Sequence, residues 1–258
     1  MGVKLFMFIP CYREMISAQT FDTSHALMSG LMQKGMQAHI GRYSWFDIAE
    51  MRNIALSYWY DCMPTFTHLL FVDDDMGFSP DVVTDMIAFN EPIVGALYRK
   101  KCENYDWAAS GLAPGTGEVR GMSFLEVEGL GCGCFLIRRD AIDIMVEKFP
   151  DLIRDHVVIG DFKFSGLKRT LGFFDSMMSP EGKVAEDISF CRRWRQAGGK
   201  VWASAGHVIT HVGLHEFKGG YADWRMTEHL RQQQHDRAME TIDMVQARLK
   251  GGDGQSAA

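Results

Sequence analysis

The stretch His68-Leu-Leu-Phe-Val-Asp-Asp-Asp75 decides the fold that this sequence favours. Four consecutive apolar residues run directly into three carboxylates. A short apolar run of this kind is typical of a strand buried on both faces, as in parallel sheets. In open α/β sheets, ligands bind beyond the carboxyl ends of the strands. The stretch therefore predicts an α/β domain with a polar site directly after this strand.

Strand and helix patterns alternate on both sides of this stretch. Asp47 and Glu50 have the spacing of a capping box, which places a helix start at Asp47. The alternation predicts a single domain with a mostly parallel central sheet flanked by helices. The other predicted elements of this half are strands at Lys4–Ile9, Met36–Arg42 and Pro92–Tyr98, and a helix at Ser17–Lys34.

The second half of the chain is less regular and ends in a long polar helix, predicted at Asp223–Leu249. We expect a main domain over residues 1–222, a C-terminal helical extension over 223–250 and a disordered tail over 251–258. The other predicted elements of this half are strands at Met122–Val127, Lys200–Ala203 and Val208–Thr210, and helices at Arg139–Phe149 and Ala185–Ala197.

Composition narrows the class of protein. The 258 residues are 47% hydrophobic, which is enough for a sizeable core and argues against wholesale disorder. The net charge of −6 gives no broad basic surface for nucleic acid. No apolar run approaches the roughly 18 residues of a transmembrane helix. With six cysteines and no pattern of paired ones, we expect reduced thiols and a cytoplasmic protein.

The three aspartates suggest a metal site. Side chains alternate along a strand, so Asp73 and Asp75 are expected to share one face while Asp74 points away. Two converging carboxylates repel unless a cation or a proton lies between them. Oxygen ligands select hard cations, and we expect Mn²⁺ or Mg²⁺. The alternative is a polar loop in which one aspartate caps the helix near Ser79.

Phe71–Met76 resembles the D-x-D motif of glycosyltransferases with the GT-A fold. Further segments match that family in the expected order, up to about Phe217. They are Ile9–Tyr12, Met51–Leu56, the glycine-rich Gly129–Arg138, Ala185–Cys191 and His211–Gly213. The resemblance implies one GT-A-like domain that transfers a sugar from a nucleotide-sugar, with uridine as the implied nucleoside, to an unknown acceptor hydroxyl.

The resemblance also implies roles for individual residues. Asp75 is expected to ligate the metal. Asp73 is also expected at the metal site and should lie near the ribose and diphosphate of the donor. His211 is expected to complete the metal site. His207 and His215 remain alternatives to His211. The residues expected on the donor side are Pro10, Tyr12, Arg52, Asp73, Asp74 and Gly131. A glycine at the last of these positions allows the backbone to approach a sugar closely.

Asp187 is the candidate catalytic base. A transferase that inverts the anomeric centre needs a group to accept the proton of the acceptor hydroxyl. At helical spacing Asp187 continues the apolar face of Phe190, Cys191 and Trp194, whereas Glu186 faces a more solvated side. Acidic residues are also common in a first helical turn without any catalytic role, and the helix dipole is expected to lower the pKa there.

Two other functions fit the same motifs. A metal-dependent nucleotidyltransferase would use the same aspartates, and a glycan-binding module would keep the fold without turnover.

The segment Gly160–Pro180 is long and contains three glycines and four phenylalanines. We expect it to act as a lid that orders when donor and metal bind.

Overall fold

The computed structural model describes residues 2–102, 106–111, 119–120, 123–155, 164, 166–213 and 216–252. The chain divides into two compact units, Met1–Gly220 and Tyr221–Ala258. The first unit contains all of the sheets, and the described part of the second is a single helix.

The described residues form six α-helices. They are α1 Ala18–Gln33, α2 Ile48–Cys62, α3 Asp81–Phe89, α4 Arg139–Lys148, α5 Glu186–Gln196 and α6 Tyr221–Gly252. The start of α2 was predicted correctly, since the Asp47 carboxylate accepts hydrogen bonds from the backbone N–H groups of Ala49 and Glu50 at 2.9 and 3.2 Å. Among these described helices none is long and apolar enough to cross a membrane.

The same residues form 17 strands, several of only two residues. They are β1 Lys4–Cys11, β2 Gln37–Ser44, β3 His68–Val72, β4 Met76–Gly77, β5 Ile93–Ala96, β6 Ala109–Ser110, β7 Val119–Arg120, β8 Phe124–Val127, β9 Gly129–Leu130, β10 Cys134–Arg138, β11 Ile153–Arg154, β12 Thr170–Leu171, β13 Met177–Ser179, β14 Gly182–Val184, β15 Val201–Ser204, β16 Val208–Val212 and β17 Glu216–Gly220.

Eight of these strands form the central sheet, in the order β2-β1-β3-β10-β5-β15-β8-β7. Strands β10 and β8 are antiparallel to their neighbours, and the other six run in one direction. The predicted α/β class with a mostly parallel sheet is therefore confirmed. Strand β10, which was not predicted from the sequence, lies antiparallel between β3 and β5 at the centre of the sheet.

Helices cover both faces of the sheet because its central strands are apolar on both sides. One face of β1 and β3 packs into a cluster with α1 and α3 that includes Met7, Leu70, Leu27 and Val83. The opposite face is aromatic. Its ring contacts run from Phe8 to Phe71, on to Phe174 and then to Phe190 of α5. The buried strand predicted at His68–Val72 thus sits in the middle of the core.

The segment predicted to be a lid, Gly160–Pro180, belongs largely to the core where the structure describes it. Phe173 and Phe174 are fully buried, and the ring of Phe174 stacks on Phe190 at 4.4 Å between centroids. Residues 177–184 form the hairpin β13–β14. The lid prediction is wrong for residues 170–174, which are buried, while residues 160–163 and 165 lie outside the described part of the chain.

The terminal helix is longer than the sequence indicated. It begins at Tyr221 and ends at Gly252, so Gly251 and Gly252, which were expected in a disordered tail, are helical. Residues 253–258 lie outside the described residues. The boundary between the two compact units follows Gly220, whereas the sequence places it after residue 222.

Candidate active site

A cleft of about 280 Å³ opens beyond the carboxyl ends of β1 and β3. It gathers residues from six separate segments of the sequence. Those predicted on the donor side or as catalytic groups that line it are Pro10, Tyr12, Arg52, Asp73, Asp74, Asp75 and Asp187. Gly131 is the one donor-side prediction that does not line the cleft, although its neighbour Cys132 does.

The backbone of the three aspartates is tied to three separate segments. The Asp73 N–H donates to the Gly133 carbonyl at 3.0 Å, and the Asp74 carbonyl accepts from the Ser17 N–H at 2.7 Å. The Asp75 carbonyl accepts from the Val212 N–H at 2.8 Å. The glycine-rich segment, the start of α1 and the late strand β16 therefore fix the conformation of this acidic loop.

Asp74 does not point away from the site, contrary to the expectation from strand alternation. Its carboxylate accepts a hydrogen bond from the backbone N–H of Tyr12 at 2.6 Å and so joins the loop after β1. Alternation fails here because β3 ends at Val72 and the aspartates already lie in a turn. Burial raises the pKa of Asp74, and the nearby carboxylates of Asp75 and Asp73 add to the effect.

His211 reaches Asp75 through a small sheet. Strand β16 pairs with β4, and His211 lies opposite Met76 in this pairing. The His211 Nε2 atom is 3.5 Å from Asp75 Oδ1. The Nδ1 atom is 2.9 Å from the Arg99 carbonyl oxygen, which can only accept a hydrogen bond. We therefore assign the proton to Nδ1, which leaves a lone pair on Nε2 facing the carboxylate.

This pair has the character of a cation site. A lone pair on Nε2 facing a carboxylate oxygen is repulsive unless a proton or a cation lies between them. Asp75 Oδ1 is buried and has no hydrogen-bond partner in the structure. One carboxylate and one imidazole suit Mn²⁺ and Mg²⁺ less than an all-oxygen set, but imidazole is compatible with the softer Mn²⁺. No group of three or more His, Cys, Asp or Glu side chains that could hold a metal ion occurs among the described residues.

The other predicted metal ligands have different surroundings. Asp73 is held by Arg52, whose Nη2 lies 2.7 Å from Asp73 Oδ1. His207 lies 2.9 Å from Asp85 on α3 and does not line the cleft. His215 lies outside the described residues. The structure thus brings His211, rather than His207, to the carboxylate of Asp75.

Arg52 is a buried cation between two acids. Its side chain is 4% exposed and donates to Asp73 and also to Glu186 at the start of α5. Burial alone would lower the pKa of Arg52, but the charges of Asp73 and Glu186 together raise it above its ordinary value. Arg52 was expected on the donor side. In this arrangement it connects α2, the acidic loop and α5, and so positions the carboxylates around the cleft.

Asp187 lines the cleft from the first turn of α5. Burial raises the pKa of its carboxyl, and the charge of Glu186 raises it further, while Arg52 opposes both. The expected lowering by the helix dipole is therefore outweighed. The expectation that Glu186 faces solvent is also wrong, because Glu186 pairs with Arg52 and lines the cleft as well.

The glycine-rich segment accommodates the ring of Tyr98. A Cβ atom at Gly131 would overlap the Tyr98 hydroxyl, and one at Gly133 would lie 2.8 Å from Tyr98 Cζ. The Gly133 N–H donates to the same hydroxyl at 3.2 Å. Tyr98 in turn lines the cleft and contacts His211 edge to face, with 5.1 Å between ring centroids. The close approach that these glycines permit is thus to a tyrosine of the protein itself.

Two residues that line the cleft were not singled out from the sequence. They are Trp45 and Phe46, which lie in the chain between β2 and α2, and Phe46 is 84% exposed. Two aromatic residues just before a helix start were the available signal. Lys101 forms an ion pair with Asp75. It belongs to the run Tyr98–Lys101, which the sequence suggests as a contact for donor phosphate or acceptor, but no local pattern indicates which lysine turns towards Asp75.

No protein-family model matches the chain, and no curated protein matches it either. Similar solved structures include A197 from STIV, with 17% identity and a TM-score of 0.46 over 82% of this chain and 86% of that chain. Another is a Drosophila β-1,4-galactosyltransferase 7 mutant in complex with manganese, UDP-Gal and xylobiose. It has 13% identity and a TM-score of 0.42, and the match covers 78% of this chain and 65% of that chain.

A third structure is a glycosyltransferase involved in glycosylation of the major capsid of PBCV-1. It has 11% identity and a TM-score of 0.33, covering 62% of this chain and 71% of its own. Two of these three proteins are glycosyltransferases.

Proposed function

We propose that this protein is a metal-dependent glycosyltransferase that moves a sugar from a nucleotide-sugar, with uridine as the favoured nucleoside, to an acceptor hydroxyl. The observation that supports the proposal is the approach of His211 Nε2 to the buried Oδ1 of Asp75, a carboxylate that lines the same cleft as the half-buried carboxylate of Asp187. A cation site suits a diphosphate leaving group, and a carboxylate suits the removal of a hydroxyl proton.

The donor side of the cleft is formed by the acidic loop and the loop after β1. Asp75 and His211 are the residues that would hold Mn²⁺ or Mg²⁺. When bound, such an ion supplies positive charge that stabilises a departing diphosphate. Arg52 holds Asp73 at the wall of the cleft, where Asp73 would accept a hydrogen bond from a ribose hydroxyl, and Asp74 fixes the backbone of Tyr12.

Asp187 is the proposed general base. In a single displacement, the acceptor oxygen forms a bond to the anomeric carbon while the bond from that carbon to the diphosphate breaks. The acceptor proton passes to the carboxylate of Asp187. Because burial and Glu186 raise the pKa of Asp187, the carboxylate is a better proton acceptor than an ordinary aspartate. Displacement from the side opposite the leaving group inverts the configuration.

A panel of nucleotide-sugars tests the function. Each donor is incubated with and without Mn²⁺, and the released products are identified. The proposal expects metal-dependent release of a nucleoside diphosphate from at least one donor, by slow hydrolysis even without an acceptor. Release of pyrophosphate from a nucleoside triphosphate and a sugar phosphate would identify a nucleotidyltransferase. Sugar binding that needs no metal and gives no product would identify a binding module.

A further inference from the structure

The turn after β5 places a lysine at the proposed cation site. The ammonium group of Lys101 contacts Asp75 Oδ2, the carboxylate oxygen that does not face His211. Both side chains are partly buried, with 34% of Lys101 and 27% of Asp75 exposed. Asp75 therefore already has a positively charged partner in the free protein.

Neighbouring contacts show that this position of Lys101 is built into the turn. The preceding Lys100 points elsewhere and pairs with Asp106 at 2.7 Å. The Lys100 N–H donates to the Asp106 carbonyl at 2.8 Å, so the turn is closed by backbone as well. The Arg99 carbonyl of the same turn accepts the hydrogen bond of His211. The same turn thus orients the imidazole of His211 and neutralises the carboxylate charge of Asp75.

An ammonium group and a divalent cation cannot share Asp75 without repulsion. At contact distances two positive charges repel appreciably even with the effective dielectric constant found near protein surfaces. When a metal ion replaces the ammonium group at the carboxylate, the free energy gained is only the difference between the two interactions. Binding of a metal at Asp75 therefore includes the cost of displacing Lys101, and that cost weakens the binding of the metal alone.

We propose that Lys101 is an internal counterion that occupies Asp75 in the free protein and is displaced when the metal binds. This inference rests on the proposed function, since it assumes the cation site between Asp75 and His211. A displaced ammonium needs a new anionic partner, and the diphosphate of a donor provides one. Metal and diphosphate then favour each other's binding, because each removes a cost that the other would otherwise meet.

Mn²⁺ titrations of five proteins test the displacement. The proteins are the wild type, Lys101→Met, Lys101→Gln, Asp75→Asn and the control Lys100→Met, and free Mn²⁺ is followed by electron paramagnetic resonance. Lys100→Met removes the same charge from the same turn without touching Asp75. We expect Lys101→Met to bind Mn²⁺ roughly fivefold more tightly than the wild type, the scale of an ion pair at a protein surface. Lys100→Met should stay within about twofold, and Lys101→Gln should repeat the result.

The outcomes separate this inference from the proposed function. Suppose that Asp75→Asn loses Mn²⁺ binding while the Lys101 and Lys100 variants bind Mn²⁺ as tightly as the wild type. That result would keep the metal site and overturn the role of Lys101. Equal Mn²⁺ binding by the wild type and Asp75→Asn would overturn both. Tighter binding confined to the Lys101 variants supports the counterion.

Acylation of lysines in the wild-type protein gives a second measurement without any mutation. A brief pulse of acetic anhydride is followed by mass spectrometry, with Lys100 as the internal reference. Mn²⁺ should raise the labelling of Lys101 several-fold, because the ammonium leaves its carboxylate. Addition of UDP to the Mn²⁺ sample should lower it again. Labelling of Lys101 that Mn²⁺ does not change would contradict displacement, and a rise that UDP does not reverse would contradict transfer to the diphosphate.

Discussion

At the scale of single residues, Asp187 is the group whose surroundings bear most directly on turnover. A base acts only when deprotonated, so activity should fall as the pH drops through the pKa of Asp187, which burial and Glu186 place above the ordinary value for aspartate. We expect Asp187→Asn to lower kcat by at least about a hundredfold, the usual scale for loss of a general base. Donor affinity should barely change, because the base acts on the acceptor.

The pH profile of kcat, together with the affinity for UDP, checks this prediction. The wild type should lose activity on the acid side, and the residual activity of Asp187→Asn should lack that decline. Turnover within a few-fold of the wild type would leave Asp187 as a helix-start residue and would point to a different base or to retention of configuration.

Arg52 is the residue whose loss should cost the most stability. It is a buried cation between Asp73 and Glu186, and its removal leaves two carboxylates facing each other without compensation. We expect Arg52→Met to lower the free energy of unfolding by about 2–4 kcal/mol, somewhat less than for a fully buried pair. The matched control is Arg169→Met, which breaks a more exposed pair with Asp61 and should cost less than about 1 kcal/mol.

Urea denaturation of both variants at neutral pH provides the comparison. Equal small losses would mean that the Arg52 ion pairs are as weak as those at the surface, and that the cleft does not depend on them for its shape.

At the scale of elements, the glycine-rich segment and Tyr98 should behave as one unit. A methyl group at Gly131 would overlap the Tyr98 hydroxyl, whereas the nearest ring carbon, Cζ, would be at 3.1 Å. We expect Gly131→Ala to destabilise the protein by about 1–3 kcal/mol, the scale of overpacking in a core. Tyr98→Phe in the same chain should recover part of that loss by removing the overlapping oxygen.

A double-mutant cycle of melting temperatures tests this coupling. Additive effects of Gly131→Ala and Tyr98→Phe would show that the glycine is required for some reason other than the tyrosine, such as the close approach of a sugar.

Local sequence patterns predicted the helices and strands that are determined by interactions between residues close together in the chain. The apolar run at His68–Val72 matched the observed strand, and Asp47 capped α2 as its spacing indicated. The strand Cys134–Arg138 was missed because nothing in an apolar run shows that it will run antiparallel between two parallel strands. The element was present in the sequence, but its direction depends on the rest of the sheet.

At the scale of the whole molecule, the compact unit Met1–Gly220 contains every described residue of the candidate site. We expect a chain that ends at Gly220 to fold and to retain metal-dependent affinity for UDP within about threefold of the full chain. A truncated protein that aggregates, or that folds but no longer binds UDP with Mn²⁺, would show that the helix Tyr221–Gly252 is needed for the site. Calorimetry on both proteins makes the comparison.

The site itself could be predicted in part because its residues carry recognisable chemistry. Sequence analysis identified the acidic loop, Arg52 and Asp187, all of which line one cleft. It did not predict that Arg52 pairs with Glu186, that Asp74 turns to Tyr12, or that Lys101 contacts Asp75. Each of these contacts joins segments far apart in the chain, so each depends on the tertiary fold rather than on spacing.

The central claim is that Asp75 holds a metal ion on which donor binding depends. Calorimetric titration of UDP into the wild type, Asp75→Asn and the control Asp85→Asn, each with and without Mn²⁺, tests it most directly. Asp85 pairs with His207 outside the cleft, so its loss removes one carboxylate without touching the site. Mn²⁺ should strengthen UDP binding in the wild type and in Asp85→Asn, and should have no effect in Asp75→Asn. An equal Mn²⁺ effect in all three proteins would contradict the account.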